Sequence, residues 1–342
     1  IFMKKILSVA VLGSTGYWGL ELVKILIRHP NIQIKFLGCE NSPSKDIREF
    51  DQNIVIDTLP KLDLNNNFDP KNYDLVFLSL PHGVSHKFVK NFNRKIKIID
   101  LSADFRLDSE KLYSKNYNND HVCPELLNQF IYGLPEINKD VLNTNFDVAV
   151  PGCYPTSVLI PLIPLLEKNL IKTDNIIIDS KSGYSGAGKK FDLNNIKNKL
   201  EFNFYNYHTN EHRHICEIQQ ELDKHSDQKV IFSFNPHILP IYRGLMSTIY
   251  CDLQENIIPQ DVEDCLNKFA QNLLFVDILD NKVRGDFFKV QNTNKCLIKL
   301  YNQKSKSKII IVSLIDNLLK GAAGQAVQCA NLMFGFKENI GF

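Results

Sequence analysis

The sequence predicts an α/β chain in two parts: an N-terminal domain on a parallel sheet, then a second, α+β domain. Three observations carry this. Short apolar strands alternate with helical segments through the first part of the chain. A glycine-spaced turn joins the first strand to the first helix. Further on, strands follow one another with fewer helices between them, as in a mostly antiparallel or mixed sheet. The expected division is 1–152 for the first domain and 153–313 for the second. The tail 314–342 is read as helical, and its small residues (Gly321, Ala322, Ala323, Gly324, Ala326) suit close packing back onto the first domain.

Residues 5–12 form a β-branched apolar run, read as a strand. Gly13-Ser14-Thr15-Gly16-Tyr17-Trp18-Gly19 follows; then Leu22, Ile25 and Leu26 recur at helical spacing until Pro30. Residues 32–39 are the second strand of a βαβ unit. Glycines at the turn let backbone approach a pyrophosphate, and the helix N-terminus offers N–H donors and positive dipole. Gly13, Ser14, Thr15, Gly16 and Tyr17 are therefore the expected dinucleotide contacts. Residues 74–80 and 96–101 read as buried strands ending at Pro81-His82-Gly83 and at Ser102-Ala103-Asp104-Phe105-Arg106. Ligands of open α/β sheets bind beyond such carboxyl ends. Pro81 is placed in the cofactor site and Arg106 in the substrate site. Residues 147–150 are the last strand of this domain, and strands at 175–182, 229–234, 244–253, 274–279, 295–301 and 308–313 make the second.

Bulk properties exclude several classes. Lys+Arg 40 against Asp+Glu 38 gives a net charge of +2, which argues against nucleic acid as a partner. The eight cysteines include no C-x-x-C pair and no zinc-like spacing, so reduced cytoplasmic thiols and no metal site are expected. No apolar run reaches membrane-spanning length. The opening Ile1-Phe2-Met3-Lys4-Lys5 does not read as a signal peptide, and Met3 reads as the natural start.

Chemistry concentrates around Cys153, in Val150-Pro151-Gly152-Cys153-Tyr154-Pro155-Thr156. Pro155 suits the first turn of a helix. A thiol there faces the positive end of a helix dipole, which favours the reactive thiolate. Ser182-Gly183-Tyr184-Ser185-Gly186-Ala187-Gly188-Lys189-Lys190 follows a strand and is expected to offer backbone N–H groups and a cation to a ligand. Ser185 and Gly186 are placed with the cofactor, and Ser182, Gly183 and Lys189 with the substrate. His212-Arg213-His214 precedes a helix; two histidines flanking an arginine offer an acid/base and an anion clamp. Residues two apart on a helix diverge, so one ring is expected to reach the thiol, with His214 favoured and His212 orienting substrate. Arg243, in Pro236-His237-Ile238-Leu239-Pro240-Ile241-Tyr242-Arg243-Gly244, and Arg106 are expected to hold carboxylate and phosphate, in either order. Thiol, histidines, arginines and a nucleotide fold fit one reaction class: thiolate attack on an activated acyl group, then hydride reduction of the thioester.

These motifs resemble the N-acetyl-gamma-glutamyl-phosphate reductase family nearly end to end. The match includes Gly13-Ser14-Thr15-Gly16-Tyr17, Leu80-Pro81-His82-Gly83, the run from Ile99 to Arg106, Tyr132-Gly133-Leu134-Pro135-Glu136, Pro151-Gly152-Cys153-Tyr154-Pro155-Thr156, the run from Ser182 to Lys189, His212-Arg213-His214, Arg243-Gly244, and the run from Asp316 to Ala326. The resemblance implies NADPH-dependent reduction of an N-acetyl-glutamyl phosphate to the semialdehyde with phosphate released. It also implies a Rossmann-type domain completed by the C-terminal helix, a substrate domain like that of glyceraldehyde-3-phosphate dehydrogenase, and a homo-oligomer, dimer or tetramer. Val150, Cys216 and Lys189 depart from the family's usual Asn, Pro and Arg. Alternatives are the lysine-biosynthesis relative acting on an aminoadipyl phosphate, and a non-catalytic nucleotide sensor. For the cofactor, Glu40 at the end of the second strand favours NAD(H) on its own. Ser42, Ser44, Lys45 and Arg48 beyond it could bind a 2′-phosphate, and with the resemblance they favour NADP(H).

Overall fold

The computed structural model describes residues 6–56, 58–92, 96–142, 146–189, 203–280, 282–302 and 307–342. Met3 and Lys190 lie outside them. The chain divides into two compact units, Ile1–Pro151 with Ala322–Phe342, and Gly152–Gly321.

The first unit runs β1 (Leu7–Leu12), α1 (Tyr17–Leu26), β2 (Ile32–Cys39), β3 (Leu62–Leu64), β4 (Leu75–Leu78), α2 (Ser85–Lys90), β5 (Lys97–Asp100), α3 (Glu110–Tyr117), β6 (Phe130–Tyr132), α4 (Pro135–Leu142) and β7 (Asp147–Ala149). Its sheet has the order β3-β2-β1-β4-β5-β7-β6, with every neighbouring pair parallel. β4 is buried throughout and β1 nearly so, which is why both read as unbroken apolar runs. The order reverses between β1 and β4, so a crevice opens beyond their carboxyl ends. β3 and β6 escaped the sequence reading because three residues are too few for periodicity to show. The helix Gly324–Met333 packs on α1, α4 and β5. His29 Nε2 lies 2.8 Å from Asn331 Oδ1, and Asn331 Nδ2 donates to the carbonyls of Glu338 and Ile340, tying the tail to the end of α1.

The second unit runs α5 (Cys153–Glu167), β8 (Ile176–Gly183), β9 (Tyr205–Asn206), α6 (His214–Lys224), β10 (Phe232–Leu239), β11 (Leu245–Asp252), α7 (Pro259–Ala270), β12 (Val276–Ile278), β13 (Cys296–Asn302) and β14 (Lys308–Ile315). The mixed sheet has the order β12-β13-β14-β11-β8-β10-β9, with β8/β10 and β12/β13 parallel and the other pairs antiparallel. α5 is buried from Tyr154 to Leu166, so its apolar run covers every side of the helix. The alternation along β8 puts Ile176, Ile178, Ser180 and Ser182 inside and Ile177, Asp179 and Lys181 on the other face.

One element differs from expectation. The tail is not helical from 314: Leu314 and Ile315 still pair with Met246 and Leu245 in the sheet. Asp316 Oδ1 then accepts the N–H groups of Leu318 and Leu319 and starts a π-helical turn, Leu319–Ala323, which runs into α8 (Gly324–Met333). The apolar spacing of 314 and 315 satisfies a strand as well as a helix, and cross-strand pairing decides for the strand.

Candidate active site

In the second unit, Cys153 is the first residue of α5, with Gly152 as extended N-cap. Pro155 falls in the first turn. Thr156 returns both its N–H and its hydroxyl to the Gly152 carbonyl, each at 2.9 Å. From the other side the Gly152 N–H donates to Glu217 Oε1 at 2.9 Å. Glu217 is fully buried on α6, one turn after His214. The sequence reading missed it; the available signal was a carboxyl on the apolar face of an amphipathic helix, beside Ile218 and Leu222. Gly321, in the π-helical turn, completes the setting: a Cβ there would stand 2.7 Å from Cys153 Cβ.

Both histidine rings gather on Tyr154, the residue after the thiol. Ring centroids lie 5.4 Å (His212) and 5.9 Å (His214) from that of Tyr154, and 4.8 Å from each other. The expected divergence is corrected: α6 begins at His214, so His212 precedes the helix and the spacing rule for helical residues does not apply to it. His212 Nδ1 accepts the His214 N–H at 3.1 Å, and Nε2 lies 3.4 Å from Tyr207 Oη. Burial, reinforced by the charges of Arg213 and His208, brings the His212 pKa down to about 3, so the ring is neutral. Neutral with Nδ1 accepting, it carries its proton on Nε2. Tyr207 Oη is also 3.3 Å from Tyr154 Oη, whose own pKa burial pushes well up. Arg213 is exposed at the helix start.

The arginines and the glycine-serine loop are placed differently from the reading of the sequence. Arg243 forks onto buried Asp316, with Nε 2.8 Å from Oδ2 and Nη2 3.2 Å from Oδ1, while Nη1 donates to Asn292 Oδ1 at 2.7 Å. Its bidentate face is thus directed at a carboxylate of the protein itself. The loop is bound down by the segment that carries Arg243: Gly183, Tyr184 and Ser185 donate their N–H groups to the carbonyls of Gly244, Ile241 and Tyr242. Those three donors are engaged within the fold, which corrects the expectation that they face a ligand. A side chain at Gly183 would strike the Tyr242 carbonyl at 2.7 Å. Ser182 Oγ donates to the Gly183 carbonyl, Ser185 Oγ accepts from Asn317 Nδ2 at 2.9 Å, Gly186 packs against Ser182 Oγ, and Lys189 is exposed.

In the first unit the glycine turn has the form a dinucleotide requires. Gly13 has φ +73° and approaches the Ser79 carbonyl so closely that a Cβ would lie 2.2 Å from it. A Cβ on Gly19 would lie 2.3 Å from the Gly13 carbonyl, so the third glycine lets helix and turn pack together. Gly16 is the N-cap of α1, and Thr15 and Tyr17 flank it, half-buried. Ser14 is buried, and its hydroxyl and N–H both bond the Gly38 carbonyl, so it shapes the turn. Asn65 Oδ1 accepts the Gly13 N–H at 3.0 Å, a contact no local pattern announces. Beyond β2 a cavity of about 250 Å³ is lined by Glu40, Asn65, Asn66, Pro81, Val84 and Phe88 among others. These residues fit a nucleotide: apolar walls for a base, and an acid with two amides for ribose hydroxyls. Ser42 is half-buried nearby in sequence. The cations beyond it have acidic partners: Arg48 forks onto Asp46 at 2.8 and 2.9 Å, Lys61 reaches Asp46, and Lys45 lies 3.8 Å from Glu49. Arg106 is 5 % exposed and donates to the carbonyls of Val150 (2.7 Å) and Leu101 (2.8 Å), cross-linking the ends of β5 and β7. Its buried fork therefore ties strands together. Val150 is wholly buried, and its N–H bonds the Asp100 carbonyl.

Two family models match the chain: "Semialdehyde dehydrogenase, NAD binding domain" over 8–145 and "Semialdehyde dehydrogenase, dimerisation domain" over 153–317. The N-acetyl-gamma-glutamyl-phosphate reductase of Ehrlichia canis is 40% identical over 338 residues, spanning 97% of this chain and 96% of that protein. That of Clostridium botulinum is 41% identical over 339 residues, spanning 98% and 97%. The chain belongs to the N-acetyl-gamma-glutamyl-phosphate reductase family of semialdehyde dehydrogenases. Its fold is shared with aspartate semialdehyde dehydrogenase II of Vibrio cholerae (TM-score 0.75, 17% identity, covering 97% of this chain and 99% of that one). It is shared too with an aspartate semialdehyde dehydrogenase of Candida albicans solved with NADP (TM-score 0.70, 18% identity, covering 98% and 100%). As in the family, the N-terminal unit is an NAD(P)-binding domain and the chain is an oxidoreductase. No helix among the described residues is long and apolar enough to cross a membrane, and no group of three His, Cys, Asp or Glu among them could hold a metal.

Proposed function

We propose that this reductase converts N-acetyl-L-glutamyl 5-phosphate to N-acetyl-L-glutamate 5-semialdehyde, with NADP(H) as the dinucleotide and Cys153 as the nucleophile. The observation that carries the reading is a thiol on the first residue of α5 with two histidine rings gathered on its neighbour Tyr154. The Cys153 thiolate attacks the acyl carbon, the C–O bond to phosphate breaks, and phosphate leaves with a proton from His214. A bound nicotinamide dinucleotide supplies the hydride that reduces the resulting thioester. As the aldehyde forms, the C–S bond breaks and the thiolate returns. N–H groups in the first turn of α5 stabilise the oxyanion of each addition. His212, neutral and held by the His214 N–H and Tyr207, orients substrate and ring. Lys189 and Arg213, both exposed, are the groups assigned to the substrate's anions; Ser182, whose hydroxyl donates to the Gly183 carbonyl, shapes the loop, and Arg243 contributes by holding Asp316.

Gly13, Thr15, Gly16 and Tyr17 would hold the dinucleotide, and Glu40, Asn65 and Pro81 would line the crevice for its nucleoside part. NADP(H) is assigned on the family motifs and Ser42; Glu40 in the cavity wall and Arg48 on Asp46 weigh toward NAD(H). The partner is a second copy of the chain. Ile177, Tyr250, Ile310 and Tyr301 stand in cross-strand register on one face of the second sheet, a stripe suited to self-association. The reducing cytoplasm suits the eight free thiols.

Phosphate-dependent reduction of NADP⁺ or NAD⁺ by N-acetylglutamate semialdehyde, beside the aminoadipate homologue, tests the reading. Preference for the longer semialdehyde would transfer the enzyme to lysine biosynthesis; no turnover of either would remove the catalytic assignment.

A further inference from the structure

The turn after β4 is held from behind by a buried ring of hydrogen bonds that the chemistry at Cys153 does not use. Gly83 has φ +80°, a conformation open to glycine and costly for other residues. Its N–H donates to Asp104 Oδ1 at 2.8 Å, and the His86 N–H donates to Asp104 Oδ2 at 3.1 Å. His86 Nδ1 accepts the Val122 N–H at 3.2 Å, which leaves the ring proton on Nε2, 3.1 Å from the Gly83 carbonyl. Gly83 is thus gripped at both its N–H and its C=O, and the two grips meet at Asp104. Tyr113 Oη adds a third donor to Asp104 Oδ1 at 2.8 Å. Asp104, His86 and Tyr113 are all wholly buried. A second strut runs alongside, from the Ala103 N–H to His82 Nδ1 at 2.9 Å.

Three donors satisfy the buried carboxyl, and such bonds are among the stronger ones in proteins. What they fix is specific. Pro81 and Val84, on either side of Gly83, line the cavity beyond β2, and the turn stands at the switch point where the sheet order reverses. We propose that Asp104 is a positioning residue for dinucleotide binding: through Gly83 and His86 it sets the Pro81–Val84 wall of the crevice without touching the ligand. This rests on the reading of that crevice as the dinucleotide site.

The test is titration of the full-length protein with NADPH and NADH, followed by nucleotide fluorescence, beside steady-state kinetics. Asp104→Asn presents an N–H to one of the three donors. Losing one buried charged bond should raise Kd and KM for the dinucleotide about ten-fold or more. kcat at saturation and the rate of Cys153 alkylation by iodoacetamide should stay within about two-fold. Tyr113→Phe leaves both grips on the turn and should change Kd by less than about three-fold. Should Asp104→Asn fail to fold, His86→Phe keeps the ring volume and backbone N–H, removes the grip on the Gly83 carbonyl together with the acceptor of the Val122 N–H, and should raise Kd about three- to ten-fold. Unchanged dinucleotide binding in the folded variant overturns the proposal alone, as does a parallel fall in kcat and alkylation. Wild-type protein that binds neither nucleotide sinks the crevice reading and the proposal together.

Discussion

Gly321→Ala tests whether the thiol's setting is as tight as the geometry says. The added methyl would stand 2.7 Å from Cys153 Cβ, 3.2 Å from Cys153 Cα and 3.3 Å from Ile315 Cδ1. Carbon atoms settle at about 3.5–4.0 Å, so the overlap with Cys153 Cβ is close to an ångström. Neither side yields cheaply. Cys153 begins α5, anchored by the Gly152 bonds to Glu217 and Thr156. Gly321 sits in a turn closed by its own N–H on the Asp316 carbonyl. Overpacking of this kind costs about 1–3 kcal/mol. For a unit of this size that lowers the thermal midpoint by roughly 2–12 °C. The displacement falls on the nucleophile, and a misplacement near an ångström costs turnover about a hundred-fold. Differential scanning calorimetry gives the first number, and the iodoacetamide rate at Cys153 with kcat gives the second. A variant with wild-type midpoint, alkylation rate and kcat would refute the reasoning, since the methyl would then have found room.

Cys153→Ala should abolish semialdehyde oxidation while leaving the Kd for dinucleotide near normal; substantial residual turnover contradicts the thioester route. His214→Asn should lower kcat about a hundred- to ten-thousand-fold, and His212→Asn should act mainly on KM; the reverse pattern exchanges their roles. Glu40→Ser should move kcat/KM toward NADP⁺ over NAD⁺, and an unmoved ratio means Glu40 does not face the ribose. His212, with its folded pKa near 3 against an unfolded 6.5, is depressed. Its stabilisation is therefore present above pH 6.5 and lost as pH falls toward 3. Between pH 7.5 and 5.5 it should remove about 1.4 kcal/mol, a loss absent in His212→Gln. Urea titrations of both proteins at the two pH values check this, and parallel losses would refute it.

What could be read from the chain alone was local. Glycine spacing between a strand and a helix announces the turn at Gly13, because backbone conformation and close approach depend on adjacent residues. Proline and glycine around Cys153 announce a helix start for the same reason. The nucleotide-binding βαβ unit, the mixed second sheet and the reductase family were legible in this way. The partners of polar groups were not. Arg106 and Arg243 offer the same guanidinium fork in any sequence; tertiary structure directs one to the carbonyls of Leu101 and Val150 and the other to Asp316, 73 residues away. The same holds for Glu217 on Gly152, 65 residues distant, and for Asn65 on Gly13, 52 residues distant. A side chain's donors and acceptors are fixed by its type, but which groups answer them depends on what the folded chain brings within three ångströms, and at such separations nothing in the local pattern records it.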